Sequence, residues 1–486
     1  EVLVTCALLM AEEQLQNLLA YVRENPGPKL RAAPTGPYSS SLQTGGLLGR
    51  PLTLPGGVVV PNRIVKSAMT ECMANPAQNN PTTALDTLYS IWSQGGTGML
   101  ISGNVMIDRR FLESPRNVVL DRDSDGEAFH RLATSMKKGG SLAILQISHP
   151  GRQCPRSVTN EPRAPSPVAW ALTGLPATAT KLLSAPPRAM THDEVVEVSR
   201  KFMDTVSLAM AYGFDGIQFH SAHGYLLSSF LSPKTNQRTD LWGNSPSGRR
   251  LLLELLIQGA VELRRIRKCS FVIGVKINSA DFQRGGLDND ESASVIQSIA
   301  KHGVDFIEVS GGNYENPVLL DSAPKSTRER EAFFLDFCES TRRLIDTPLV
   351  CTGGFRSKRA MENALSSGAI DLVGIARPLC LDPNVSRTLI TGDDSARAPD
   401  VDIRFRWKRL DRTAGAGFEN LWHQEQMRLL VAGKPTRPDY NGAVYLLGVV
   451  FPRTYVWDPW RNPTSSMAVV LAGLVAVVSV LVRWWR

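Results

Sequence analysis

Two histidines and a tyrosine crowd together at His220, His223 and Tyr225, inside the run HSAHGYLLSSFLSPKTNQRTDLWG that spans His220–Gly243. Imidazole and phenol can each hydrogen-bond a substrate or exchange a proton with it, so the trio reads as a candidate catalytic group. The segment before it, GFDGIQF (Gly213–Phe219), is a short apolar run bounded by glycine, the pattern of a buried parallel strand. The three side chains thus stand where a strand stops, and the carboxyl ends of strands carry the chemistry in a parallel barrel. Lys276 is a second candidate. It interrupts the apolar run Val272–Ile277, where a charge is costly unless an anion faces it.

Further apolar runs recur along the chain, with helical patterns between them. Strands are predicted at Ile64–Met69, Gly98–Gly103, Leu142–Ser148, Asp215–Phe219, Val272–Ile277, Phe306–Val309, Leu349–Thr352 and Leu372–Ile375. Eight alternating units specify an α/β fold, a (β/α)8 TIM barrel, more naturally than an open sheet. Pro51–Pro61 (PLTLPGGVVVP) carries a hairpin signal suited to closing the bottom of such a barrel. Thr191 and Glu194 form a capping box that opens the helix running to Met210. The Pro-, Ala- and Thr-rich stretch Cys154–Met190, between the third strand and its helix, has the length of a lid or binding loop.

The chain has 486 residues, 43% hydrophobic and 21% charged, enough apolar side chain for a large core and too much for disorder over most of the length. The reading divides it into an N-terminal extension and linker (1–46), the barrel (47–395), an appendage (396–464) and a tail (465–486). A short amphipathic helix is expected over 11–23, then a linker rich in Pro, Gly and Ser over Asn25–Gly49. No secretory signal is read at Val2–Met10, because no basic residue precedes that apolar run. Met467–Val482 (MAVVLAGLVAVVSVLV) is uncharged and followed by Arg483-Trp484-Trp485-Arg486, which predicts a transmembrane tail anchor. The net charge of +8 is concentrated partly at Arg404, Arg406, Lys408, Arg409 and Arg412, and fits a solvated basic face or attraction to an anionic membrane. The expectation is a membrane-tethered protein with its barrel facing the cytosol and no nucleic-acid partner. Seven scattered cysteines with no C-x-x-C pair point to a reduced compartment and to no metal centre.

At successive strand ends the motifs PNRIVKSAMT (Pro61–Thr70), LQISHPGRQ (Leu145–Gln153), HSAHGYLLSSFLSPKTNQRTDLWG, GVKINSADFQRGG (Gly274–Gly286), CTGGFR (Cys351–Arg356) and GIARPLCLDP (Gly374–Pro383) resemble the old yellow enzyme family of NADH:flavin oxidoreductases. The resemblance covers about Leu47–Val385. It implies FMN as cofactor, NADH or NADPH as reductant, and an activated alkene such as an α,β-unsaturated carbonyl compound as substrate. It further implies that His220 and His223 hold the substrate carbonyl and that Tyr225 protonates the α-carbon. Thr70 would meet flavin O4, Gln146 the ring edge at N3 and O2, and Lys276 the N1 and O2 side. Ser67, Ala68 and Gly103 would be backbone or close-approach positions. Gly353, Gly354, Phe355, Ala376 and Arg377 would hold the phosphate, and glycine and arginine are the residue types such a site needs. Tyr314 and His149 are further candidates for lining the pocket. Asn236, Arg238 and Asp240 read as residues that order their loop. Trp242 and Asn244 depart from the family's usual tyrosine and glycine.

Two other readings stand beside this one: a barrel lyase using Lys276 as a Schiff-base amine, and a membrane-tethered flavoprotein scaffold without turnover. A two-domain dienoyl-CoA reductase type is disfavoured, because no cysteine cluster follows the barrel and Gly415-Ala416-Gly417 is no dinucleotide fingerprint.

Overall fold

A computed structural model describes residues 2–39, 42, 46–170, 180–181, 183–311, 331–401, 403 and 408–438, with backbone alone at 2–8 and 408–418. Tyr314, the segment Met467–Val482 and the side chains of the basic stretch at 404–412 lie outside the described residues. Among the described residues no helix is long and apolar enough to cross a membrane.

Eight parallel strands form a closed barrel: β1 (Ile64–Lys66), β2 (Met99–Met106), β3 (Leu142–Ser148), β4 (Gly216–Ser221), β5 (Val272–Asn278), β6 (Phe306–Ser310), β7 (Leu349–Thr352) and β8 (Leu372–Ile375). Each strand pairs with the next, and β8 returns to β1 with Val373 opposite Ile64. The predicted strands lie at these places. The second runs on to Met106 through a register irregularity between Ile101 and Asn104, and the fourth runs on to Ser221.

The inward-facing side chains change character along the barrel axis. At the bottom Val65, Met99, Ile101, Ile144, Val272, Phe306, Val350 and Leu372 form an apolar plug, closed from below by Leu54 and Val60 of the hairpin Leu52–Thr53/Val59–Val60. Each such side chain removed from water contributes about 1.5–3 kcal/mol, so the lower barrel is dry and rigid. Toward the carboxyl ends of the strands, Ser67, Gln146, Gln218, Lys276, Glu308 and Thr352 face one another instead, linked by hydrogen bonds. A polar layer on an apolar plug is a floor on which a polar ligand can rest.

Helices α2 (Thr83–Gln94), α3 (Gly126–Lys137), α4 (His192–Ala211), α5 (Leu226–Leu231), α6 (Pro246–Arg267), α7 (Asn289–Ala300), α8 (Leu335–Arg342), α9 (Lys358–Ser366) and α10 (Val385–Thr391) surround the strands. The capping box at Thr191 and Glu194 opens α4 with both reciprocal bonds made.

Helix α1 runs over Val2–Glu24, longer than the amphipathic stretch read from the sequence, and it packs Leu18 and Val22 into the core beside α4 and α6. The Pro-rich segment after it, expected as a linker, runs without helix or strand over its described residues 25–39 and is strapped to the barrel. Its backbone bonds to residues at the carboxyl ends of the barrel helices, Arg31 N to Ala211 O and Gly36 N to Lys137 O, while the Arg267 guanidinium holds Pro26 and Pro28. Proline and glycine break helix and strand, but the carbonyls they leave free find partners on those neighbours.

Helix α11 runs over Lys408–Val431, within the appendage. Its described side chains pack back on the barrel, with Trp422 against Leu381, and Gln424 Nε2 donates to Thr70 O at 3.0 Å.

Candidate active site

The carboxyl end of β4 and the turn after it bring His220, His223 and Tyr225 together. The His220 ring centroid lies 5.1 Å from that of His223 and 4.7 Å from that of Tyr225, edge-on in both cases. The turn needs a left-handed residue, and His223 supplies it at φ 60°, an uncommon conformation for a non-glycine residue. It is held there because its N–H donates to Asn278 Oδ1 at 3.2 Å. The Ala222 N–H donates to His220 Nδ1 at 3.3 Å, which puts the ring proton on Nε2. His223 Nε2 lies 3.1 Å from Ser310 Oγ.

Burial, with the Lys276 charge nearby, pushes His223 down to about 3. Burial, His223 and Lys276 hold His220 well below the ordinary histidine value. Both rings are therefore neutral at physiological pH. They can donate a hydrogen bond without carrying a charge of their own.

Beside them the polar floor is fully connected. Lys276 Nζ meets Glu308 Oε1 at 3.0 Å. Thr352 Oγ1 donates to the same oxygen at 2.8 Å, and Gln218 Nε2 donates to Oε2 at 2.7 Å. Gln146 Nε2 donates in turn to Gln218 Oε1 at 2.6 Å, and Ser67 Oγ lies 2.8 Å from Thr352 Oγ1. Burial disfavours the Glu308 carboxylate, but Lys276 and these donors outweigh it and leave the group below its ordinary pKa. The anion that Lys276 required is thus supplied by the protein itself.

At the β1 end, Thr70 Oγ1 donates to Glu113 Oε2 at 3.0 Å. Ala68 packs against the apolar plug. Gly103 is a close-approach position as expected, but the groups it admits are the Met69 carbonyl and the Glu71 carboxylate, 2.3 and 2.1 Å from where a Cβ would stand. Glu71 in turn accepts from Tyr89 and from Gly103 N.

At the β7 and β8 ends, Gly353 and Gly354 take φ values of 132° and 95°, and a Cβ on Gly354 would come within 2.5 Å of the Glu331 carbonyl. Phe355 is buried beneath the turn, and Ala376 leads into the short 3-10 turn that begins with Arg377. The Arg377 guanidinium pairs with Glu419 of α11. Arg356 is largely buried nearby, and burial together with the Arg377 charge lowers its pKa. Arg356 in turn pairs with Asp400 at 3.2 Å, so each guanidinium has a carboxylate partner in the protein.

A sequence profile of the NADH:flavin oxidoreductase / NADH oxidase family matches residues 48–394. The chain belongs to this family. It is 36% identical over 376 residues to the NADH-dependent flavin oxidoreductase iliE of Neonectria sp., covering 73% of this chain and 48% of that protein. It thus spans about half the length of that relative. A second iliE, from Hypocrea jecorina, is 34% identical over 389 residues, covering 75% of this chain and 95% of that one. The old yellow enzyme homologue from Zymomonas mobilis shares the fold with a TM-score of 0.59 at 22% identity, over 74% of this chain and 95% of that chain.

FMN is the cofactor of this flavin oxidoreductase family, and NADH or NADPH its hydride source. The residues present fit the group. Arg377, Arg356 and the backbone at Gly353–Gly354 would hold its phosphate. Lys276, Gln146 and Thr70 bring the cation, amide and hydroxyl that a flavin ring edge bonds. Among the described residues, the buried hydroxyls of Ser148, Ser221 and Ser279, all at strand ends of the upper barrel, have no hydrogen-bond partner within the protein.

Other sequence candidates serve the scaffold. His149 is buried against Phe111, with Nδ1 accepting from Gly151 N at 3.0 Å. Asn236 binds the Phe230 and Trp242 carbonyls, and Arg238 pairs with Asp240, so these residues order their loop. Trp242 fills its departure from the family pattern by packing in the core and donating to His192 Nδ1 at 3.1 Å. The sequence reading missed Glu113, Glu308, Arg356 and Glu419. Arg356 alone had a signal, as the arginine of CTGGFR.

Proposed function

We infer that this flavin oxidoreductase is an ene-reductase that takes hydride from NADH or NADPH and reduces the C=C bond of α,β-unsaturated carbonyl compounds. The reading rests on the grouping of His220, His223 and Tyr225 at one strand end, beside the Lys276 layer. Bound FMN supplies two-electron hydride chemistry. The protein's part is electrostatic and protonic. His220 Nε2–H, with the neutral His223 ring beside it, binds the substrate carbonyl oxygen and strengthens its hold as that oxygen gains charge. Tyr225 O–H gives its proton to the α-carbon.

The Schiff-base lyase reading is weakened by the Lys276–Glu308 pair, which commits the amine to a carboxylate; borohydride trapping with substrate tests it. The ene-reductase reading is tested by the visible spectrum of the purified protein under anaerobic conditions. The flavin band is expected to bleach with NADH or NADPH and return on adding 2-cyclohexenone. A band that bleaches and stays bleached rejects alkene reduction.

We also propose that the apolar segment Met467–Val482 tethers the barrel to a membrane, with the barrel in the cytosol; its uncharged sequence and Arg-Trp-Trp-Arg flank support this. The full chain is expected to resist carbonate extraction, and a chain ending at Asn462 to be released. Release of both removes the anchor.

A further inference from the structure

Reducing one C=C bond consumes one hydride and one proton, and the proton comes from solvent. The Tyr225 phenol is only 2% exposed, so something must return its proton after each turnover. Its hydroxyl donates to Glu113 Oε1 at 2.7 Å. The other carboxylate oxygen, Oε2, accepts from Thr70 Oγ1 at 3.0 Å and from Asn104 Nδ2 at 2.6 Å. Glu113 sits in the loop after β2 and is only partly buried. One carboxyl group thus spans the distance from the buried phenol to the protein surface, with its second oxygen clamped.

We propose that Glu113 is the proton-supplying partner of Tyr225. This rests on the ene-reductase reading and deepens it. The hydride adds to the β-carbon, and the Tyr225 O–H bond breaks as the C–H bond at the α-carbon forms. The Glu113 carboxylate then takes a proton from solvent and passes it to the phenolate oxygen, which restores both groups. Thr70 and Asn104 fix the carboxyl so that the transfer needs no rearrangement. Glu113 acts through Tyr225 and is a positioning residue for the reaction.

The test compares wild type, Glu113→Gln and Tyr225→Phe, each loaded with FMN. Reoxidation of the reduced protein by 2-cyclohexenone is followed in a single turnover and in steady state. In Glu113→Gln the first turnover is expected within about threefold of wild type, because Tyr225 starts protonated. Steady-state turnover falls about 10²-fold, the low end for a positioned proton-transfer group. Acetate is expected to restore turnover in Glu113→Ala. A second signal needs no flavin. The tyrosine ultraviolet difference spectrum between wild type and Glu113→Gln, on FMN-free protein, shows a feature that vanishes in the Tyr225→Phe background.

Steady-state turnover of Glu113→Gln at the wild-type rate overturns the relay, and so does failure of acetate to rescue a Glu113→Ala protein that still binds FMN. If Tyr225→Phe matches wild type in the single turnover, Tyr225 is not the proton donor and the relay falls with it; if the reduced wild-type protein is not reoxidised by 2-cyclohexenone at all, the ene-reductase reading itself falls. Loss of the first turnover in Tyr225→Phe beside wild-type steady state in Glu113→Gln rejects the relay alone.

Discussion

Lys276 stands beside both His220 and Glu308 in the strand register, and its ammonium lies 3.0 Å from the Glu308 carboxylate. A full positive charge under the flavin ring edge would favour the reduced cofactor strongly, whereas a paired one favours it less. Removing one partner of a buried pair costs about 3–5 kcal/mol. Glu308→Gln is therefore expected to lower the melting temperature of FMN-free protein, with part of the loss recovered when FMN binds. The midpoint potential of bound FMN should rise by about 30 mV, the two-electron equivalent of about 1.4 kcal/mol. Thermal unfolding and potentiometric titration check both. An unchanged potential would mean that the pair does not act on the ring.

Tyr225→Phe removes the proposed proton donor and keeps the ring packed against His220. Reoxidation by 2-cyclohexenone should slow by about 10²- to 10⁴-fold, while reduction by NADH stays within a few-fold of wild type. Stopped-flow absorbance separates the two half-reactions. Equal slowing of both would place the tyrosine in binding rather than proton transfer.

The Arg377 guanidinium is held by Glu419, a carboxylate from a helix outside the barrel repeats. A charge-assisted bond contributes about 1.5–3 kcal/mol, so Arg377→Ala should weaken FMN binding by about 10- to 100-fold. Glu419→Gln should tighten it, because the phosphate no longer competes with a carboxylate. Flavin fluorescence titration reads both changes, and weaker binding in Glu419→Gln would show that the helix supports the site.

Three buried histidines set an acid limit on stability. Burial takes His149 and His423 down to about 4, and burial with Lys276 takes His223 down to about 3. Below the unfolded value near 6.5 the unfolded chain binds protons that the folded chain refuses. Their contribution is therefore complete above about pH 6.5 and is lost as pH falls toward 4, at up to about 1.4 kcal/mol per pH unit for each histidine. Denaturant unfolding across pH 7 to 4 should show this slope, and His149→Asn should make it shallower. An unaltered slope would mean that His149 is not excluded from protonation.

The barrel strands were legible because each is an apolar run whose ends are marked by glycine or by polar residues that do chemistry. The trio at His220, His223 and Tyr225 was legible because one turn carries all three. Glu113, Glu308 and Glu419 were not. Tyr225 and Glu113 are 112 positions apart, and Arg377 and Glu419 are 42 apart, so neither pair leaves a spacing pattern. A lone glutamate in a loop or helix reads as surface until the fold brings its partner to it. The partners of the segment after α1 were hidden for a related reason. Proline-rich sequence excludes helix and strand, but it says nothing of partners waiting on other elements.

Strand β1 pairs with β8, and Leu47 N just ahead of it donates to Glu362 Oε2 at 2.8 Å, across 315 positions of sequence. On the ribosome, therefore, the first barrel strand emerges with one edge that stays bare until nearly all of the remaining strands have been made. Closure is a late step in the life of the nascent chain, and chains stopped before Leu372 present an unpaired edge to their neighbours, the exposure that favours aggregation over folding.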